Sequence, residues 1–291
     1  MTTAVTQTSS TEPTLPTTFW GRVWYRLRRD RFAMTGLFIV AGAAILALLA
    51  PLLAPYSEGM QDPGALLQGP SVAHPFGPDQ LGRDLFSRVL FGARVSMTVA
   101  LLTSMIAVAL GTALGAVSGW LGGRIDNILM RIVDVLYSFP DLLLIIIISV
   151  LVGQGVFGIT LSLSLVSWVT VARVVRGEVL SIKQRPFVEA ARAMGYPGSR
   201  ILLRHVLPHT IGPVIVTLTF RIPAVILAES TLSFIGLGLQ PPASSWGVLA
   251  SHGWSAMTFY PHLILFPSLA IFITILGFNL LGDGLRDAMS K

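Results

Sequence analysis

Cysteine is absent from this chain of 291 residues, which excludes disulfides, thiolate nucleophiles and cysteine-ligated metals within it. Lysine is nearly absent as well. Only Lys183 and Lys291 occur, and neither follows a G-x-x-x-x-G-K-[ST] loop, so the chain has no P-loop to cradle ATP phosphates. The H-E-x-x-H and G-x-S-x-G patterns are missing too, which leaves metalloprotease and nucleophile-elbow chemistry without support. Of the five histidines, His205 and His209 have i,i+4 spacing, but Pro208 between them is expected to break the helix that metal ligation would need. No catalytic, cofactor-binding or metal constellation emerges.

The broadest shortage is of charge. Charged residues make up 12% of the chain, against about a quarter in soluble domains, and mean hydropathy is +0.73. Uncharged apolar runs cover residues 32–53, 95–121, 142–172 and 263–282. Each reaches the ~20 residues that carry a helix across the hydrocarbon core. The third run is too long for one crossing, and Gly153-Gln154-Gly155 divides it. Residues 210–236 form a fifth apolar stretch, interrupted by Pro213, Arg221, Pro223 and Glu229. The expectation is an all-α membrane protein of six spans.

The net charge of +6 does not signal a nucleic-acid partner. Sixteen of the twenty Lys and Arg residues fall on one side if six spans alternate: Arg22–Arg31, Arg124 and Arg131, the group from Arg173 to Arg204, and the C-terminal tail. By the positive-inside rule that side is the cytoplasm and holds both termini. The division expected is a cytoplasmic tail and basic juxtamembrane segment at 1–31, with 1–18 disordered, then a six-helix transmembrane domain at 32–291. Outer loops lie at 54–94 and 237–262 and an inner loop at 177–208. The apolar run after Arg31 is too long for a signal peptide and reads as a retained anchor.

From the first outer loop, residues 82–97 are expected as a separate amphipathic helix at the outer surface, with Asp84 and Arg88 as an i,i+4 pair. It would face lipid or dock a partner. Residues 120–139 read as an inner loop. Gly111, Gly115 and Gly119, four apart, mark a helix-packing face for a neighbour in the same chain or another. Arg221 and Glu229 at membrane depth point to the translocation path or a subunit interface, or to a buried structural pair. The loop after them, with Trp246 and Trp254, reads as a turn and a shallow interfacial segment.

The stretch EAARAMGYPGSRILLRHVLP, residues 189–208, is basic, helix-rich and set between two apolar runs. Pro186 suits the first turn of a helix. Phe187, Ala190, Ala191 and Met194 share one face, with Glu189 and Arg192 opposite. Gly195 provides a left-handed cap, and a second helix from Ser199 is expected to stop at Pro208. A helix of two to three turns is not stable alone; it must dock on its own bundle or on a partner.

This segment resembles the EAA loop of ATP-binding-cassette importer permeases: Glu189, Ala190 and Ala191, then Gly195, then Leu207 and Pro208. His205, where the general pattern prefers Ile, is similar to the peptide-importer branch. HPFGPDQLGRDLFSRVLFGARVS, IDNILMRIVDVLYSFPDLLL, LSFIGLGLQPPASSWG and NLLGDGLRDAM are similar to the C-type permease of oligopeptide and dipeptide importers. The resemblance implies the type I importer permease fold in a bacterial inner membrane. It also implies a non-catalytic role beside a B-type permease, ATPase subunits that bind ATP and Mg, and a solute-binding protein that delivers peptide. On the same resemblance Glu189, Ala190, Ala191, Arg192, Gly195, Leu207 and Pro208 contact the ATPase. The equivalent subunit of a nickel or other small-solute importer is the nearest alternative. A self-sufficient secondary transporter is the alternative of another class.

Overall fold

The computed structural model describes residues 18–290; most of the N-terminal tail expected to be disordered lies outside them. Eleven helices follow in order: α1 (Phe19–Arg29), α2 (Arg31–Leu53), α3 (Leu85–Leu121), α4 (Gly123–Ser138), α5 (Asp141–Val152), α6 (Val156–Ile182), α7 (Pro186–Ala193), α8 (Gly198–Ile201), α9 (Leu207–Phe234), α10 (Trp246–Ser255) and α11 (His262–Ser290). No β-strand occurs among the described residues; Pro78 and Asp84 form an isolated bridge.

Five helical segments are long and apolar enough to cross a membrane: α2, α3, α6, the continuous stretch Gly198–Phe234, and α11. A sixth crossing is counted only if α4 and α5, which meet at a bend of 93°, are taken together as one broken span. Alone, the 12 residues of α5 rise about 18 Å, short of a hydrocarbon core of about 30 Å. Residues 123–138 are therefore helix, not the loop the sequence suggested. The bend sits at Phe139, whose backbone is extended because Pro140 disfavours helix in the residue before it.

Two further boundaries differ from expectation. Residues 85–94 are the first turns of α3, a helix of 37 residues, and bury Leu85, Ser87, Arg88, Leu90 and Ala93 where a separate surface helix was expected. Pro208 does not end a helix either. The turn Leu202–Val206 before it has π-type winding, and α9 starts with Pro208 in its first turn, where a missing N–H costs nothing.

The central packing is α3 against α6. A methyl added at Gly111 would stand 2.5 Å from Val171 Cβ, one at Gly119 2.9 Å from the Arg176 carbonyl, and one at Gly115 would strike the Ala172 carbonyl. The small-residue stripe thus serves a neighbour in the same chain. Close backbone approach of this kind replaces the hydrophobic force that lipid cannot supply. Gly36 of α2 meets Gly277 of α11 in the same way. The largest apolar core joins α2, α3, α5, α6, α9, α10 and α11 around Ala100, Ile159, Leu163, Ile226 and Leu232.

At the end of the bundle opposite α7, residues 54–84 fold back onto the helices. Asp79 Oδ1 accepts from the backbone N–H groups of Leu81 (2.9 Å) and Arg83 (3.0 Å); its Oδ2 accepts from Arg83 Nε (2.8 Å) and Arg88 Nη1 (2.6 Å). Burial pushes the Asp79 carboxyl up, but these N–H groups and the Arg88 and Arg83 charges outweigh it and hold it below the ordinary value. Arg88 is therefore paired with Asp79, five residues upstream of the expected partner. Asp84 instead caps α3 through Ser87 N (2.7 Å) and bonds His74 Nδ1 (2.9 Å). Trp246 is buried, not interfacial: its indole N–H donates to the Val89 carbonyl at 3.0 Å. Trp254 is exposed.

Candidate functional site

The segment between α6 and α9 projects a two-turn helix from the bundle. Pro186 occupies the first turn of α7. At its far end the Tyr196 N–H bonds the Ala191 carbonyl (3.2 Å) and the Gly195 N–H bonds that of Arg192 (2.9 Å). This double closure requires the left-handed backbone at Gly195, φ +78°, which glycine adopts without a Cβ penalty. The expected cap is present.

The buried face differs from the expected one. Val188 and Ala191 are buried against Val175, Val179, Ile182, Ile201 and Val206. Ala190 and Met194 are exposed, together with Glu189, Arg192, Ala193 and Gly195. The apolar residues of α7 run almost all the way round, so spacing alone did not choose which of them faced inward. The result is a helix with one thin seam on its own bundle and a wide outer face of small and apolar residues bordered by Glu189 and Arg192. Met194 is 68% exposed at its tip. Leu207 is half-buried and Pro208 exposed, at the junction with α9 and away from that face.

Trp120, at the end of α3, supports this projection and was not singled out by any motif. Lys183 Nζ donates to the Trp120 carbonyl at 2.5 Å. The Lys183 ammonium and the Arg192 guanidinium lie 5.6 and 5.4 Å from its ring centroid, within cation–π range. Gly198 lies against the indole edge. Beside it, Asp126 of α4 takes a bidentate pair from Arg176 of α6 and a hydroxyl bond from Ser118 of α3. Asp134 pairs with Arg173 at 2.6 Å on the exposed surface. α7 thus rests on the ends of α6 and α3, which Asp126 of α4 ties together.

The two ionisable residues of α9 are not a pair. Arg221 Nη2 donates to the Ser167 carbonyl at 2.8 Å, and Arg221 lines an open cleft of about 310 Å³ with Asp141, Ile145, Ser167 and Thr231. Glu229 is enclosed within this chain: its Oε1 accepts from Ser233 Oγ (2.9 Å) and Ser245 Oγ (2.5 Å). Ser245 also caps α10 by accepting from Val248 N. Glu229 therefore ties the end of α9 to the start of α10. The histidines of the loop are likewise engaged: His209 Nδ1 bonds the His205 carbonyl at 2.7 Å and its ring stacks on Phe187, along a helix that Pro208 does not break. No group of three or more His, Asp or Glu side chains suited to a metal occurs among the described residues.

Comparison with known proteins gives a consistent picture. Residues 111–291 match the family described as "Binding-protein-dependent transport system inner membrane component", and residues 18–70 match the "N-terminal TM domain of oligopeptide transport permease C". The chain is 39% identical over 270 residues to the oligopeptide transport system permease protein OppC of Bacillus subtilis (strain 168), covering 93% of this chain and 88% of that one. It is 43% identical over 267 residues to the dipeptide transport system permease protein DppC of the same organism, covering 91% and 83%. Identity to the glutathione transport system permease protein GsiD of Escherichia coli O157:H7 is also 43%, over 271 residues, covering 93% and 89%. Among solved structures, a chain of the MetNI methionine ABC transporter in inward-facing conformations superposes with a TM-score of 0.58 at 17% identity, covering 71% of this chain and 97% of that one; that likeness speaks for the fold alone. With its spans, its projecting loop and these matches in agreement, the chain belongs to the binding-protein-dependent transport system inner membrane component family, as a C-type permease.

Proposed function

We propose that this chain is one of two permease subunits of an ATP-driven importer of peptides, with a B-type permease as its membrane partner. The observation that carries the reading is near-full-length identity of about 40% to permeases named for oligopeptide, dipeptide and glutathione transport. All three names denote short peptides. A solute-binding protein delivers the cargo on the side of residues 54–84 and α10; ATPase subunits sit beneath α7, on the cytoplasmic side, and hydrolyse ATP there. Both termini are cytoplasmic, as the distribution of arginines supports.

In this reading α7 is the lever. Its outer face, with Glu189, Ala190, Arg192, Met194 and Gly195, seats in an ATPase groove, while Val188 and Ala191 hold it to its own bundle. Motion enters α3, α4 and α6 through Trp120 and Arg176, and enters the next span directly, since helix is continuous from Gly198 to Phe234. ATP shifts the permease only by binding better to one arrangement of these helices than to the other. Arg221, on its open cleft, faces the path or the second permease; Glu229 fixes α10 to the moving span.

Co-purification and reconstitution test the proposal. Tagged chain should bring down a second permease and ATPase subunits, and peptide uptake should need all of them plus a solute-binding protein. Uptake by this chain reconstituted alone would overturn it.

A further inference from the structure

The first helix divides its residues by chemistry more sharply than contact with the bundle requires. At helical spacing, Phe19, Val23 and Leu27 form one row and Trp20 and Trp24 the next, while Arg22, Arg26 and Arg29 form a row on the other flank. Only the middle of the apolar arc is used inside the chain: Val23 and Leu27 are buried, Leu27 against Ala33 and Leu281. Phe19, Trp20 and Trp24 remain 47, 52 and 46% exposed. Two half-exposed tryptophans beside a membrane span match the side chains that settle at headgroup depth.

The arginines are equally unspent. None of Arg22, Arg26, Arg28, Arg29 and Arg31 forms an ion pair with a carboxylate of the described residues. Arg28 lies over Trp24 and Arg29 over Tyr25, at 5.4 and 4.3 Å, which keeps both guanidinium groups against the rings. Arg26 Nη1 donates to the Ala288 carbonyl at 3.2 Å, drawing the last turn of α11 against α1. Between the two helices lies a cleft of about 160 Å³ lined by Phe19, Arg22, Val23, Arg26, Ala288 and Met289. The extended backbone of Asp30 ends α1 just before the first span, and its carboxylate caps that span; α1 is a separate element at the mouth of α2, not its continuation.

We infer that α1 and the last turn of α11 form a binding site for an anionic phospholipid, with the headgroup phosphate in the cleft between Arg22 and Arg26 and the acyl chains against Phe19, which lines that cleft and packs edge-on against Trp20. Guanidinium groups donate paired, charge-assisted hydrogen bonds to phosphate oxygens. Basic clusters flanking a span attract anionic lipid, and the exposed aromatic flank gains cover at the acyl boundary. Through the Arg26–Ala288 bond the occupied site would hold the first and last spans in one position. The inference rests on the proposed orientation only for which leaflet supplies the lipid.

The test uses the full chain in nanodiscs and needs neither cargo nor ATP, so it fails or succeeds independently of the transport reading. Brominated phosphatidylglycerol should quench Trp20 more than brominated phosphatidylcholine, the signal being the difference from a Trp20→Phe variant. Native mass spectrometry should find phosphatidylglycerol retained in preference to phosphatidylcholine. Arg22→Gln should lower that retention about fivefold, the loss expected for one arginine at an anionic surface, while Arg22→Lys keeps most of it. If Arg22→Gln reduces folded yield, Arg26→Gln, at the other arginine of the cleft, carries the same comparison. Equal retention of the two lipids, no response to Arg22→Gln or Arg26→Gln, or displacement by free glycerol phosphate would each overturn the inference.

Discussion

Arg176 grips Asp126 with two guanidinium nitrogens, Nε to Oδ1 at 2.6 Å and Nη2 to Oδ2 at 2.7 Å. Ser118 donates to the same carboxylate, so one side chain joins the ends of α3, α4 and α6. Arg176→Lys keeps the charge but loses the fork. It should cost about 2 kcal/mol, within the range for a hydrogen bond to a charged group, and Asp126→Asn a similar amount. Thermal unfolding in detergent measures both; a double variant no worse than either single one would show that the pair acts as a unit.

Packing of α3 on α6 leaves no space at Gly115, where a Cβ would strike the Ala172 carbonyl. Gly115→Val should destabilise by about 1–3 kcal/mol or more, since backbone cannot yield as a flexible side chain does. Gly177, on α6 with nothing within 4 Å of its Cβ position, should accept alanine without loss. Folded yield after membrane extraction separates the two.

The outer face of α7 offers the sharpest test of transmission. Glu189→Arg and Met194→Asp change exposed positions and should leave unfolding unaltered, because surface substitutions usually fall within ~0.5 kcal/mol. They should lower ATPase recovery in pull-downs and peptide uptake at least about tenfold. Val188→Asp, by contrast, places an unpaired carboxylate in the buried seam and should abolish folded protein. Normal uptake in Met194→Asp would remove α7 as the lever.

Acid should act through Asp79. Its folded pKa is depressed below 3.8, so its stabilising contribution is complete above the unfolded pKa and is lost as pH falls through the lower, folded value. The unfolding midpoint should therefore hold from neutral pH to about pH 4 and fall below it. Asp79→Asn should remove that acid step and cost about 3–5 kcal/mol at neutral pH, because Arg88 is left buried without its counter-charge.

Much of this protein was legible along the chain. Spans were readable because an apolar run must be about as long as the bilayer is thick, and Gly153 and Gly155 do separate α5 from α6. The glycine stripe announced a close helix contact, and Gly195 announced the cap of α7, since each is a local demand on backbone shape. Charge pairing was not legible in the same way. Asp84 was the sequence neighbour of Arg88, yet Asp79 holds it, because residues 54–84 fold back and bring a second carboxylate closer. Glu229 gave the same lesson: at membrane depth it could have faced a path, but Ser233 and Ser245 enclose it.

Sequence alone therefore determined that the chain crosses a membrane, which apolar runs do so, and that a basic segment with a short helix interrupts the spans. Those follow from hydrophobic length and local backbone geometry, which act over a few residues. Tertiary structure decided which face of α7 is free, which acid answers which arginine, and that α4 is a helix meeting α5 at a bend of 93°. Such choices depend on which distant segments come to share a surface, and a polar group buried there takes the partner nearest in space.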